Sequence, residues 1–303
     1  MFTSEFRKQI RWIEVTSRKI VEGLLAGRYR TRFKGQGMQF AEHRIYTPGD
    51  DIRHIDWKAS ARTREPLVKT FDEERELSVF LVVDISQSQV FGTYQTLKSE
   101  IAAQLSALLA HVAVYSGDQV GLLLFADQVE KIIPPKKARN QALKIVKTLL
   151  THQPCSGGTN LALALNTVGR FMKHRGVVII ISDFLVSHYE VPLKKLAQRH
   201  EILAIELFDQ RERIFPHLNW CSFTDAETGQ TQFINSHSVE FQKWFEQIQK
   251  KWDFEKQKIF KKAQVEVLSI ETREAYTDQL VEFFRKRKKG TTCVFLRCFT
   301  VER

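Results

Sequence analysis

The stretch Phe80-Leu81-Val82-Val83-Asp84-Ile85-Ser86-Gln87-Ser88 decides how this chain is read. Its first half is an unbroken apolar run with the length of a strand buried on both faces. Its second half puts one carboxylate and two hydroxyls just past the strand's carboxyl end, the edge at which open α/β sheets hold their ligands. Alternate residues of an extended loop point the same way, so Asp84, Ser86 and Ser88 can converge on one hard cation. A small divalent ion such as Mg²⁺ takes oxygen ligands in near-octahedral geometry and keeps some of its waters. Three protein oxygens hold such an ion poorly, so the rest of the chain has to supply more.

Outward from this strand, strands and helices alternate. The pattern predicts strands over 78–84, 119–125, 129–133 (ended by Pro134-Pro135), 177–182, 202–208 and 265–270, with a hairpin-like pair near 220–223 and 231–234. Between them it predicts helices over 96–115, 137–150, 160–173, 191–199 and 238–262, and a last one over 276–289. Such alternation implies a parallel sheet covered on both faces, and right-handed crossovers bring every strand's carboxyl end to one edge. The expected architecture is a doubly wound, mostly parallel α/β domain over 78–289. Residues 1–77 are expected to form an N-terminal appendage. It would consist of an amphipathic helix over 5–26, ended by Gly27, and an Arg-, Gly- and Asp-rich stretch from Gly35 to Trp57 that is neither strongly helical nor strand-like. Residues 290–303 form a C-terminal tail to which no role is assigned.

The composition, 43% hydrophobic and 27% charged, is that of a globular chain with a sizeable core. A formal net charge of +11 admits a nucleic acid, an anionic surface or an acidic partner. No run approaches the roughly 18 apolar residues of a membrane helix, and Met1–Lys8 lacks an apolar signal core. Cys155, Cys221, Cys293 and Cys298 form no Cys-x-x-Cys pair, so neither a zinc site nor a disulfide framework is indicated. Reduced thiols in a cytoplasmic protein are the expectation.

Two further loops carry suitable oxygens. Ser156-Gly157-Gly158-Thr159-Asn160 precedes a helix, and its glycines permit close backbone approach; by itself Thr159 reads as a helix N-cap. In Ile180-Ile181-Ser182-Asp183-Phe184 an acid ends a core strand, and a buried carboxylate needs a cation, a cap or solvent. Together Asp84, Ser86, Ser88, Thr159 and Asp183 give two carboxylates and three hydroxyls from three loops on one sheet edge. That set suits Mg²⁺ or Mn²⁺ rather than a soft metal, and it leaves coordination positions open for an incoming carboxylate or phosphate oxygen.

This pattern resembles the metal-ion-dependent adhesion site of von Willebrand factor A domains, with Asp84-x-Ser86-x-Ser88, Thr159 and Asp183 on its motif positions. The segment from Arg44 through Tyr46-x-Pro48-Gly49-Asp50-Asp51 and Arg53-x-Ile55-Asp56-Trp57 to Ala61-Arg62 resembles the bacterial DUF58 family. So do Gly117-Asp118-Gln119-Val120-Gly121 and Ser182-Asp183-Phe184. The resemblance spans about residues 30 to 287 and implies a von Willebrand factor A-like fold. It also implies an adaptor role beside MoxR-type AAA+ ATPases, pairs that remodel or activate client complexes, including metalloenzymes. Gln89 stands where relatives often carry Met, outside the ligand set. Some relatives carry N-terminal membrane helices; none is expected from this sequence.

Two other functions compete with that one. Asp50, Asp51, His54 and Asp56 invite a metal-dependent hydrolase, but their spacing is local and no second histidine joins them. Pairing of these acids with Arg44, Arg53 and Arg62 is the favoured alternative. Neither Ser86 nor Ser88 lies in a Gly-x-Ser-x-Gly elbow, and no nucleotide-binding glycine fingerprint is present. Arg28, Arg30, Arg32 and Lys34, interleaved with Tyr29 and Phe33, suit a nucleic-acid surface, yet such runs are usually solvated faces. The run Arg285–Lys289 suits a helix carboxyl end. The sequence therefore points to a non-enzymatic adaptor that meets an acidic client through a metal, with nucleic-acid binding disfavoured.

Overall fold

The computed structural model describes residues 38–73, 77–92, 97–152, 158–214, 220–224, 231–273 and 276, 277, 279, 280, 282 and 283. The expected helix 5–26, the basic stretch 28–34, the basic run 285–289, the tail 290–303 and Cys155 lie outside them. The chain divides into two compact units, of which Tyr29–Glu76 is the smaller.

The smaller unit is built on two strands, β1 (Met38–Ile45) and β2 (Leu67–Glu73), paired antiparallel from Met38–Glu73 to Ile45–Leu67. A 3-10 turn, Ile52–His54, and the helix α1 (Trp57–Thr63) fill the connection. The sequence pattern showed neither strand. A bulge between Phe40 and Glu42 breaks the two-residue period, and pairing across so long a connection leaves no local signal. Asp56 starts α1 by accepting the Lys58 and Ala59 N–H groups, both at 3.1 Å.

The larger unit carries a six-stranded sheet whose order is β10-β7-β6-β3-β4-β5. Its elements begin with β3 (Ser78–Asp84), α2 (Lys98–Tyr115), β4 (Gln119–Phe125), β5 (Val129–Lys136), α3 (Gln141–Thr151), α4 (Leu161–Phe171) and β6 (Val177–Ser182). They continue with α5 (Glu190–Ala197), β7 (Glu201–Phe208), the single turn α6 (Gln210–Arg213), the hairpin β8 (Trp220–Thr224) and β9 (Thr231–Asn235), α7 (Val239–Ala263) and β10 (Glu266–Glu271). Residues 276, 277, 279, 280, 282 and 283 are helical, and Leu280 is buried in the core.

Five of the six strands are parallel; β5 runs antiparallel to β4 at the edge. Two expectations are thereby corrected. The carboxyl end of β5 lies at the opposite edge from the others, and β5 runs through Pro134-Pro135 to Lys136 instead of stopping before them. Proline lacks an N–H but is tolerated on an edge strand, where only one side of the backbone is paired. β5 also crowds β4: a Cβ on Gly121 would sit 2.9 Å from Ile133 O and from Pro135 N.

β3 explains why the pattern was readable. Val79, Leu81 and Val83 pack on one face with Leu105 and Leu109 of α2 and Ile145 of α3. Phe80 and Val82 pack on the other with Leu165 of α4, Leu193 of α5 and Phe260 of α7. Burial on both faces forces a continuous apolar strand rather than an alternating one. From β3 the chain moves to β4 on one side and later returns to β6 on the other. That reversal opens a crevice at the carboxyl ends of β3 and β6, where ligands of doubly wound sheets bind.

Candidate metal centre

The parallel register pairs Val83 with Ile181, so Asp84 and Ser182 finish their strands side by side. Ser182 Oγ donates to Asp84 Oδ2 at 2.6 Å, and the Ser86 N–H donates to Asp84 Oδ1 at 2.9 Å. Both oxygens of Asp84, only 1% exposed, are thereby oriented. Past Ser86 the chain folds into a 3-10 turn, Gln87–Val90, closed by the Gln89 N–H on Ser86 O. The two serine hydroxyls meet because of this turn, not because the loop is extended as the sequence suggested. Ser86 Oγ and Ser88 Oγ lie 3.0 Å apart, and Ser88 Oγ donates to Asp183 Oδ2 at 2.9 Å.

Asp183 is held from several directions. Its Oδ1 accepts the Leu185 N–H at 3.3 Å. Phe184 takes a left-handed conformation, φ 54°, that turns the chain sharply after the acid. Such a backbone costs roughly 1–2 kcal/mol in a residue with a Cβ; burial of the Phe184 ring, edge-on to Phe260 at 5.1 Å, offsets it. The fifth expected ligand, Thr159, is partly buried on the loop entering α4. The Asn160 N–H donates to Ala126 O at 2.7 Å, which ties that loop to the end of β4, the neighbour of β3. Asn160, not Thr159, is the N-cap of α4, accepting the Leu163 N–H. Asp84, Ser86, Ser88 and Asp183 thus form one connected cluster, with Thr159 on the third loop of the same edge.

Three residues that sequence reasoning missed complete the cluster. Ser182 fixes Asp84. Lys98, whose side chain is fully buried, places Nζ 3.1 Å from Asp183 Oδ2 and 2.6 Å from Glu212 Oε1. Glu212 belongs to α6, a turn too short to carry a periodic signal. Lys98 had one: it continues the stripe of Ile101, Ala102 and Leu105 at helical spacing, and a lysine on an apolar stripe needs a buried partner.

Burial, and then the charge of Asp183, push the Asp84 carboxyl up to about 7. Burial works against the charge on Lys98, but Asp183 and Glu212 outweigh it and raise its pKa. The donor set fits a small hard ion. Bonds of ~2.1 Å in an octahedron put adjacent ligands ~3.0 Å apart, and the Ser86–Ser88 and Ser88–Asp183 oxygen separations are 3.0 and 2.9 Å. A cavity of about 50 Å³ adjoins Asp84 and Ser86 and is lined also by Gln89, Ser99 and His152. The Gln89 amide is buried there with no hydrogen-bond partner among the described residues. Among those residues no group of three or more His, Cys, Asp or Glu side chains is disposed to hold a metal ion.

The acids of the smaller unit are engaged one by one. Asp50 pairs with Arg44 at 2.6 Å and accepts the Thr47 N–H and hydroxyl at 2.9 Å. Asp51 caps the 3-10 turn through the Arg53 N–H. Asp56 caps α1 and meets His43 at 2.9 Å and Lys69 at 3.2 Å. The expected pairing with arginines therefore holds for Asp50 through Arg44, whereas Asp56 takes a histidine and a lysine. The hydrogen bond from Arg44 holds Asp50, and that with His43 holds Asp56, well below the usual carboxylate range.

A mostly parallel, doubly wound sheet with a carboxylate-and-hydroxyl loop at its switch point is a von Willebrand factor A-like domain. The chain belongs to the family described as "Protein of unknown function DUF58", which it matches over residues 42–254. It is 34% identical over 223 residues to "Uncharacterized protein Rv1480" of Mycobacterium tuberculosis, covering 73% of this chain and 70% of that relative. Among solved structures it is similar to the conserved hypothetical protein BatB from Bacteroides thetaiotaomicron, with 16% identity and a TM-score of 0.47 over 71% of this chain and 100% of that one. It is also similar to the SpRpn10 VWA domain, with 11% identity and a TM-score of 0.41 over 69% of this chain and 95% of that one. Among the described residues no helix is long and apolar enough to cross a membrane.

Proposed function

We propose that this chain is a divalent-metal-dependent protein-interaction adaptor, non-enzymatic and cytoplasmic, that works beside a MoxR-type AAA+ ATPase on client complexes. One observation carries the metal reading: the side-chain oxygens of Ser86, Ser88 and Asp183 are linked at the switch point with the spacing a small hard ion requires, and Asp84 is tied to the same loop through the Ser86 N–H. Asp84, Ser86, Ser88, Thr159 and Asp183 would hold Mg²⁺ or Mn²⁺. When bound, the ion supplies a hard centre with a position open to a carboxylate oxygen of the client. The protein's own residues orient the ligands: Ser182 holds Asp84, the 3-10 turn brings the two serines together, and Phe184 aims Asp183. The ATPase partner is supported by the resemblance of the motif running from Arg44 to Arg62.

The hydrolase reading has less support, because Asp50, Asp51 and Asp56 are each engaged in caps and local ion pairs. The test is capture of a MoxR-type ATPase and its client by the tagged full chain. Capture is expected with Mg²⁺ and lost with chelator or in Asp84→Ala, whose circular dichroism stays that of the wild type. Equal capture with and without chelator would show that no metal bridge operates.

A further inference from the structure

Lys98 is placed where physics disfavours a cation. Its side chain is fully buried, and burying a charge is costly unless it is paired. It is also the first residue of α2, at the positive end of the helix dipole, where anions and not cations are favoured. What holds it there is a pair of carboxylates, Asp183 at 3.1 Å and Glu212 at 2.6 Å. The Asp183 oxygen that Lys98 contacts, Oδ2, is also the one that accepts the Ser88 hydroxyl. Glu212 is itself fixed: its Oε2 accepts the Asp209 N–H at 3.0 Å, and its backbone oxygen accepts from the Gln249 amide of α7 at 3.0 Å.

Resting on the metal reading above, we infer that Lys98 is the resident cation of this site: its ammonium and a divalent ion draw on the same Asp183 carboxylate, and Lys98 sets how tightly the ion is held. Without metal, Lys98 neutralises Asp183 and keeps the Ser86–Ser88–Asp183 chain of hydroxyls and carboxylate assembled. With metal, the two cations repel across one carboxylate, and Glu212 draws the ammonium towards itself. The two neighbours of Lys98 therefore act in opposite senses. Removing the lysine charge strengthens metal binding, and removing the Glu212 charge weakens it, because the ammonium is then left wholly to Asp183.

The experiment is calorimetric titration of Mn²⁺ into the full-length wild type, Lys98→Met and Glu212→Gln, each checked for folding by circular dichroism. Lys98→Met is expected to bind Mn²⁺ at least about tenfold more tightly, and Glu212→Gln at least about threefold more weakly, the size expected for one charge a few ångströms away in a partly screened site. In thermal unfolding, Mn²⁺ should raise the midpoint of Lys98→Met more than that of the wild type. Equal or weaker Mn²⁺ binding by folded Lys98→Met would overturn the inference. Should that variant fail to fold, unchanged or tighter binding by Glu212→Gln, whose side chain is 22% exposed, would overturn it alone. Wild-type binding with neither variant shifted removes the role of Lys98 and leaves the metal site standing. No Mn²⁺ binding by any of the three proteins removes both.

Discussion

Asp50, Asp51 and Asp56 lie within one short segment of the smaller unit, while Asp84 and Asp183 reach a single crevice from two strands far apart in the sequence. The first three are met by groups a few residues away or across a hairpin: an arginine, a helix start, a histidine and a lysine. Each is satisfied separately. The second pair is buried, and local groups do not neutralise it. Asp84 meets hydrogen-bond donors and the like charge of Asp183, while Asp183 takes the charge of a lysine from α2. Clustering in sequence is thus a poor guide to an ion site, because neighbouring acids find neighbouring partners. Convergence at a sheet edge is a better guide, because buried like charges there need a cation from elsewhere.

This contrast can be broken by substitution. Ser182→Ala removes the hydroxyl that orients Asp84 Oδ2 and should weaken Mn²⁺ binding about tenfold, the loss typical of a group that positions a ligand. Asp56→Ala should leave Mn²⁺ affinity unchanged. An equal loss in both variants, measured by calorimetry, would show that the two acidic regions are not distinct.

A smaller effect concerns pH, and here the two regions have opposite signs. Asp84, pushed up to about 7 by burial and by Asp183, keeps its proton in the folded protein where an unfolded aspartate, near 4, has lost it. Without metal, its contribution to stability is therefore fullest below about pH 4 and falls as pH rises toward about 7. Asp50 and Asp56 are held below the usual range. Their contribution is present above about pH 4 and is lost as pH falls further. Urea unfolding in chelator should show Asp84→Asn gaining on the wild type between pH 4 and pH 7. A difference that stays flat across that window would contradict the assignment of Asp84.

The sequence made legible those elements whose environment is uniform. β3, β4 and β6 were placed to the residue because strands buried on both faces are continuous apolar runs with abrupt ends. The five expected site residues followed from that edge, and the structure links four of them by hydrogen bonds. What the sequence hid depends on distant partners. β1 and β2 satisfy each other across a long connection and share a bulge. The extension of β5 through its prolines depends on its place at the edge. Ser182 was quoted only as the neighbour of Asp183, since nothing local shows that its hydroxyl reaches Asp84. Lys98 lies near the start of a helix, and in the sequence only its place on the apolar stripe sets it apart.

The central claim is one of location, and anomalous scattering from crystals grown with Mn²⁺ tests it most directly. The account predicts a single strong peak at the carboxyl ends of β3 and β6, within bonding reach of oxygens from Ser86 and Ser88. A peak beside Asp50 and Asp56 instead, or none at the sheet edge at saturating Mn²⁺, would contradict it.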